Sequence, residues 1–270
     1  MDFKKALRDL LHRFGYDIYN RRAPHIYSSD MFSTHHNHSF LSDPTFQACY
    51  ARGVQANHGD DRHIHWRLHV ALWVAQQAIQ RPGAFVECGV SHGFLSSAIM
   101  TKLDWNARER DYFLFDTFEG LDPAYVSAAE AAKDERLSFY KDVRLETVEE
   151  NFAEWQRVHF VKGSIPETLS EVTIESVAYL SLDMNCTLPE LEALKYFWPK
   201  LSPGGFVLMD DYAYYGYEEQ HAAYNDFSAE QGVPILTLPT GQGMMMKPLT
   251  QAAESDSLDT TVSARVAALT

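Results

Sequence analysis

Apolar residues along this chain keep two different spacings, and the switch between them is the clearest signal in the sequence. From Ala84 onward, short apolar runs of strand character recur: AFVECG, DYFLFD, VHFVKG, SVAYLSLD, GGFVLMDD, PILTL and GMMMKP. Between several of them lie segments with apolar residues three and four apart, among them FLSSAIMTKL, LPELEALKYFWPKL and YEEQHAAYNDFSAEQG, and a polar helical stretch spans about 125–155. Strands separated by helices predict a mainly parallel sheet with helices on both faces. The expected fold is therefore α/β: a doubly wound, Rossmann-like, seven-stranded sheet. The last two strands are joined only by Pro239–Gln242, which predicts an antiparallel edge.

Upstream of Ala84 the pattern is mixed. Phe3, Leu7, Leu10, Leu11 and Phe14 fall on one face of an N-terminal amphipathic helix, with Lys4, Lys5, Arg8 and Arg13 elsewhere. The expectation for this helix is packing against its own domain or a second subunit, rather than docking on a membrane surface. Residues 24–59 read as a His- and Ser-rich loop. Asp61–Ile79 reads as a helix entered at Asp60 or Asp61, with Ile64, Leu68, Leu72, Ala75 and Ile79 at helical spacing and Arg81-Pro82-Gly83 at its end. Three units follow: an N-terminal helical cap over residues 1–80, the main α/β domain over 81–250, and a loose tail over 251–270.

Composition narrows the class. With 46% hydrophobic and 13% aromatic residues in 270, the chain is globular. A formal charge of −14 repels phosphate backbones and argues against nucleic acid as a main partner. Cys49, Cys88 and Cys186 show no paired spacing, which suggests reduced thiols and a cytoplasmic setting. No apolar run approaches the roughly 20 residues of a membrane span, and the N-terminus lacks the apolar core of a signal peptide. Self-association is expected, if anywhere, through the N-terminal region.

Ligands of open α/β sheets sit beyond the carboxyl ends of the strands. Here those ends carry Glu87 with Gly89 and Gly93, then Asp116, then Gly163-Ser164, then Asp183, then Asp210-Asp211. Asp116 lies 23 positions after Gly93, near the roughly 20-residue offset of an acid that binds ribose hydroxyls. Read literally, Gly89–Gly93 is also G-x-S-x-G, the serine-hydrolase elbow, and Ser91, Asp210 or Asp211, and His221 occur in the matching order. That reading lacks an upstream oxyanion loop and leaves Glu87 and Asp116 without a role. A nicotinamide fingerprint fails because Ser91 replaces the middle glycine that admits a pyrophosphate. S-adenosylmethionine has no pyrophosphate and meets no such obstacle.

The stretches FVECGVSHG, FLFDTFEGL, VHFVKGSIPETL, LDMN and LSPGGFVLMDDYAYYG resemble the class I S-adenosylmethionine-dependent methyltransferases, and within them the macrocin O-methyltransferase family, over about residues 80–248. The resemblance implies that Glu87, Gly89, Ser91 and Gly93 line the methionine end of the cofactor. It implies that Asp116, Thr117 and Phe118 hold the ribose and flank the adenine, that Gly163 and Ser164 lie at the adenine edge, and that Asp183 also borders the cofactor. Asp183, Asp210 and Asp211 match positions that hold a divalent metal, usually Mg2+, which in turn holds the acceptor hydroxyls. Independently, three converging carboxylates repel one another unless protonated or bridged by a cation, and hard oxygen ligands suit Mg2+.

The segment Asp183-Met184-Asn185-Cys186 departs from the family pattern, with Asn185 in place of a second acid and Cys186 where related catechol-type enzymes carry a lysine base. Asp183, Asp211 and His221 are then the candidates for the general base. Tyr212, Tyr214, Tyr215 and Tyr217 are candidates to stack on a sugar or close the pocket. Of the histidines, His65 and His69 share a helix face, and His63, His35, His36 and His38 lie near in sequence. No cysteine or acid completes a recognisable metal spacing there, so these read as solvent-facing or cleft histidines. The expected function is O-methyl transfer from S-adenosylmethionine to a hydroxyl of a sugar or glycosylated small molecule, assisted by Mg2+. A serine hydrolase and a non-catalytic cofactor-binding protein are the alternatives.

Overall fold

A computed structural model describes residues 3–16, 26–131 and 142–249. Seven strands form the main sheet in the order β5-β4-β3-β6-β7-β9-β8, where β3 is Ala84–Cys88, β4 Tyr112–Asp116, β5 Val158–Lys162, β6 Val177–Leu182, β7 Leu201–Met209, β8 Leu236–Thr237 and β9 Gly243–Met246. The first five are mutually parallel; β9 runs antiparallel to β7, and β8 antiparallel to β9. The mainly parallel seven-stranded sheet and its antiparallel edge are those expected, although PILTL contributes only Leu236–Thr237 to a strand. Strand β3 pairs with β4 on one side and β6 on the other, so the chain reverses direction across the sheet there. A crevice opens at such a point.

Each face of the sheet is covered. All six residues of β6 are buried, as a central parallel strand requires. On one face Phe85, Leu114, Tyr179 and Leu208 pack with helices α2 (Pro44–Ala56), α3 (His65–Ala78) and α4 (Phe94–Leu103). On the other, Val86, Phe115, Leu180 and Val207 pack under Ala193, Leu194 and Phe197 and under Tyr224 and Phe227. Burying each such large side chain contributes about 1.5–3 kcal/mol. Two short helices, α5 (Ala128–Ala131) and α6 (Leu145–Phe152), flank the crevice; α7 (Thr187–Phe197) and α8 (Glu218–Gln231) complete the second layer.

The region upstream of the sheet is more ordered than its sequence suggested. Residues 24–59, read as a loop, include a hairpin of β1 (Tyr27–Ser29) and β2 (Phe32–Thr34) and the whole of α2. Asp43 caps α2 by accepting from the backbone N–H of Thr45 (2.7 Å) and Phe46 (3.2 Å), and Pro44 occupies the first turn. Its buried residues Phe46, Cys49, Tyr50, Gly53 and Ala56 keep helical spacing. Gly53 lets α2 press on α4, since a Cβ there would lie 2.8 Å from the Phe94 ring. Helix α3 begins at His65, four residues later than expected, because Asp61 turns back to accept from the N–H of His63 (2.7 Å), whose φ is 56°. The N-terminal helix α1 (Phe3–Arg13) forms, but Leu7, Leu10 and Phe14 are 42%, 52% and 71% exposed, so it does not bury its apolar face against the described domain. The 251–270 tail lies outside the described residues.

Candidate active site

At the carboxyl ends of β3 to β7 lies a cavity of about 310 Å³, within the usual range for small-molecule sites. Strand β3 delivers Glu87 to its wall and then turns through Gly89 (φ 90°) and Ser91 (φ 51°) before Gly93 (φ 84°) opens α4. The glycines answer to packing first. A Cβ on Gly89 would lie 1.8 Å from the Asp183 carbonyl oxygen, and one on Gly93 would enter the Phe152 ring at 2.3 Å. Glu87 is buried and accepts from the Tyr112 hydroxyl (3.1 Å); burial pushes its carboxyl up to about 8, so it is neutral at pH 7.

Asp116, at the end of β4, ties the turn together. One carboxylate oxygen accepts from the N–H of Val90 (2.6 Å) and Ser91 (2.9 Å), and the other from the N–H of Phe118 (2.7 Å). Thr117 lines the cavity beside it, and from β5 so do Gly163 and Ser164, whose hydroxyl donates to Asp122. Of the residues expected around the cofactor, Glu87, Gly89, Ser91, Asp116, Thr117, Gly163 and Ser164 line the cavity at the ends of β3, β4 and β5, and Asp183 lines it from the end of β6. Gly93 stands behind that wall against Phe152, and Phe118 is fully buried in the core.

The far side of the cavity is acidic. Asp183 follows β6 and Asp210-Asp211 follow β7; Asp183 and Asp210 face the cavity, while Asp211 is buried beside them. Burial, then Asp210, Asp211 and Glu190, raise the Asp183 carboxyl well above the ordinary range. The cation that bridges this group is Arg67 of α3. It donates to Asp210, lies 3.6 Å from Asp211, and meets Asp30 through Nε at 2.8 Å, with the Tyr214 ring stacked 4.2 Å away. Burial alone would depress the guanidinium, but Asp210, Asp211 and Asp30 drive it well above its usual value. Asp30, Asp210 and Asp211 against one guanidinium leave this side net negative, and its oxygen donors are of the hard type that Mg2+ takes.

The Asp183–Cys186 turn is held from beneath by Glu190. Its Oε1 accepts from the N–H of Met184 (2.7 Å) and Asn185 (3.0 Å), and its Oε2 from Tyr224 and Gln220; burial raises this carboxyl to about 8. Asn185 donates to Asp183 Oδ1 (3.1 Å) and accepts from the Tyr217 hydroxyl (2.6 Å). The Cys186 thiol donates to the Tyr125 carbonyl (3.0 Å), so at the position of a lysine base it serves a structural contact. His221, by contrast, does not line the cavity; its Nδ1 lies 2.8 Å from the Tyr212 carbonyl and its ring packs on Tyr212. The four tyrosines separate: Tyr212 is buried, Tyr214 stacks on Arg67, Tyr217 holds Asn185, and Tyr215 is 89% exposed.

Sequence reasoning missed Arg67, Asp30 and Glu190. Arg67 and Asp30 are single charges outside any motif, and only the fold brings them beside residues 143 and 180 positions away. Glu190 carried a readable signal, because an acid in the first turn of an apolar helix directly after the Asp183 turn is placed to accept from that turn's N–H groups.

A parallel sheet with this crevice is the architecture of a class I methyltransferase, and solved structures agree. The O-methyltransferase NovP superimposes over 78% of this chain and 100% of its own, with a TM-score of 0.62 at 21% identity. A calicheamicin methyltransferase covers 78% and 94%, with a TM-score of 0.56 at 17% identity. Residues 58–237 match the macrocin-O-methyltransferase (TylF) family, and the chain belongs to that family of O-methyltransferases. A relative from Streptomyces olivaceus, the 8-demethyl-8-(2,3-dimethoxy-alpha-L-rhamnosyl)-tetracenomycin-C 4'-O-methyltransferase, is 29% identical over 64% of this chain and 69% of its own. The mycinamicin III 3''-O-methyltransferase of Micromonospora griseorubida is 27% identical over 54% and 61%. Among the described residues no helix is long and apolar enough to cross a membrane.

Proposed function

We propose that this chain transfers the methyl group of S-adenosylmethionine to a hydroxyl of a sugar-bearing small molecule, with Mg2+ held by Asp183, Asp210 and Asp211. The observation that carries the reading is the division of one cavity into two walls. One is built of turns and the neutral Glu87, the other of converging carboxylates. The first wall suits the cofactor: Asp116 fixes the Gly89–Ser91 turn, and the cavity volume matches a nucleoside-sized ligand. The second suits the acceptor. Mg2+ bound there would lower the pKa of an acceptor hydroxyl and orient it.

This chain's own residues supply the rest. Of the three base candidates, Asp183 is the one on the cavity wall, and we assign it the acceptor proton. Glu190 and Asn185 keep its turn in place. With methyl donor and acceptor bound, Asp183 would take the hydroxyl proton as the acceptor oxygen bonds to the methyl carbon and the C–S electron pair returns to sulfur. The rhamnosyl group in the name of the tetracenomycin relative supports a deoxysugar acceptor.

The test combines calorimetry with S-adenosylhomocysteine and transfer of labelled methyl to a panel of rhamnosylated acceptors. Wild type should bind the product and methylate an acceptor only with Mg2+ present. Asp183→Asn should bind S-adenosylhomocysteine normally yet lose on the order of 10²–10³-fold in rate, the range for removing one catalytic electrostatic contact. Full turnover by EDTA-treated protein would remove Mg2+ from the reading, and no product binding would remove the cofactor.

A further inference from the structure

Between the end of α2 and the start of α3, the segment Asp61–His65 presents its residues alternately. Arg62 and Ile64 line the active-site cavity, whereas Asp61, His63 and His65 gather together, with one donor atom from each lying within 4.8 Å of the others. We infer that Asp61, His63 and His65 form a second metal site, for a first-row transition ion best represented by Zn2+, separate from the Asp183–Asp210–Asp211 cluster. The acid that the linear pattern did not supply for the histidines is Asp61, and it joins them because α3 starts late and leaves 61–64 outside the helix, with His63 in a left-handed conformation.

Donor chemistry and geometry agree. Two imidazoles and one carboxylate are a Zn2+ donor set that leaves one position for water. Asp61 Oδ2 and His63 Nδ1 are already 3.3 Å apart, and metal–ligand bonds of 2.0–2.1 Å in a tetrahedron place donors about 3.3 Å apart. As a simple ion pair the same contact would have little value, since Asp61 and His63 side chains are 37% and 65% exposed.

The surroundings hold the donors in place, as the outer shell of a metal site does. Tyr50 donates its hydroxyl to Asp61 and stacks its ring on His65, with centroids 4.2 Å apart and planes at 9°. The Tyr27 hydroxyl lies 3.4 Å from His65 Nδ1, and its ring meets the imidazole edge-on. His63 takes a left-handed backbone conformation, uncommon for a non-glycine residue, within this arrangement. An ion bound here would pin the segment whose other residues form part of the cavity wall.

The experiment uses the full chain, stripped with EDTA, desalted and supplied with excess Mg2+ to occupy the acidic cluster. Zn2+ is then titrated by calorimetry, and Co2+ by its visible tetrahedral absorption. We expect one Zn2+ per chain and a Co2+ spectrum showing nitrogen ligation. His63→Ala, at an exposed position, and Asp61→Asn should each weaken Zn2+ at least about 100-fold, and Tyr50→Phe about 10-fold. Asp210→Asn should leave Zn2+ affinity unchanged. Equal Zn2+ affinity in wild type and His63→Ala, absence of tetrahedral Co2+ absorption in wild type, or loss of the Zn2+ site in Asp210→Asn would each overturn the assignment.

Discussion

The two walls of the cavity solve the burial of charge in opposite ways. On the β3–β4 side, the two acids are settled individually: Asp116 accepts from three N–H groups, and burial pushes the Glu87 carboxyl up to about 8, favouring its protonated form. On the β6–β7 side, Asp30, Asp210 and Asp211 share a single guanidinium, with the Asp183 carboxyl buried beside them. The first wall is complete as it stands, and the second carries surplus negative charge. Preorganisation of one side and electrostatic demand on the other follow from the same sheet, through which strand ends project toward which helix.

That contrast can be broken most severely at Arg67. Arg67→Met leaves Asp210, Asp211 and Asp30 without their cation and should cost about 3–5 kcal/mol. Added Mg2+ should then raise the thermal midpoint of the variant more than that of wild type, because the ion takes over the neutralising role. Equal Mg2+ shifts in both would show that the acidic wall has no surplus charge to satisfy.

The opposite wall is probed by Asp116→Ala. Unpairing the N–H groups of Val90 and Ser91 should cost about 1–3 kcal/mol of stability and weaken S-adenosylhomocysteine at least about tenfold in calorimetry. Its response to Mg2+ should match that of wild type, which separates the two walls.

A smaller effect concerns pH. Burial raises Glu87 and Glu190 to about 8, so the folded chain retains protons that the unfolded chain releases above about pH 4.3. Their contribution is complete below that pH and is lost as pH rises toward about 8. Glu87→Gln imitates the neutral acid beside Tyr112, so it should flatten part of the fall in thermal midpoint between pH 5 and about 8. A steeper slope in the variant would show Glu87 to be ionised in the fold.

Smallest of all is Ser91→Gly. Relief of a left-handed φ of 51° and the added freedom of glycine when unfolded oppose each other, so stability should change by less than about 1 kcal/mol. Wild-type Ser91 should also resist fluorophosphonate labelling, whereas labelling would revive the hydrolase reading.

The sheet was legible because strand and helix periods alternate cleanly after Ala84, and the residues that line the cavity because they follow strands in order. Helix α2 was legible too, in the Asp43-Pro44 start and the spacing of Phe46, Cys49, Tyr50 and Gly53, but the histidines and serines before it suggested a loop. The charge balance of the acidic wall was not legible. The linear pattern shows three aspartates and predicts repulsion, whereas Arg67 reaches them from a helix that buries Leu68, Ala71, Leu72 and Ala75 in the core. His221 illustrates the converse: its place in chain order matched a catalytic triad, and the fold turned it to the Tyr212 carbonyl.

The contact between Gly89 and Asp183 has a consequence for how variants of this enzyme are interpreted. The two walls meet there without room for a methyl group, since the added carbon would sit 1.8 Å from the Asp183 carbonyl oxygen. A Gly89→Ala variant would therefore push the aspartate out of register from the cofactor side of the cavity. Lost turnover in that variant would measure a spacing inside the scaffold, even though the substituted residue lies in the turn we propose for the cofactor. Position 89 is thus a gauge of the spacing between the ends of β3 and β6.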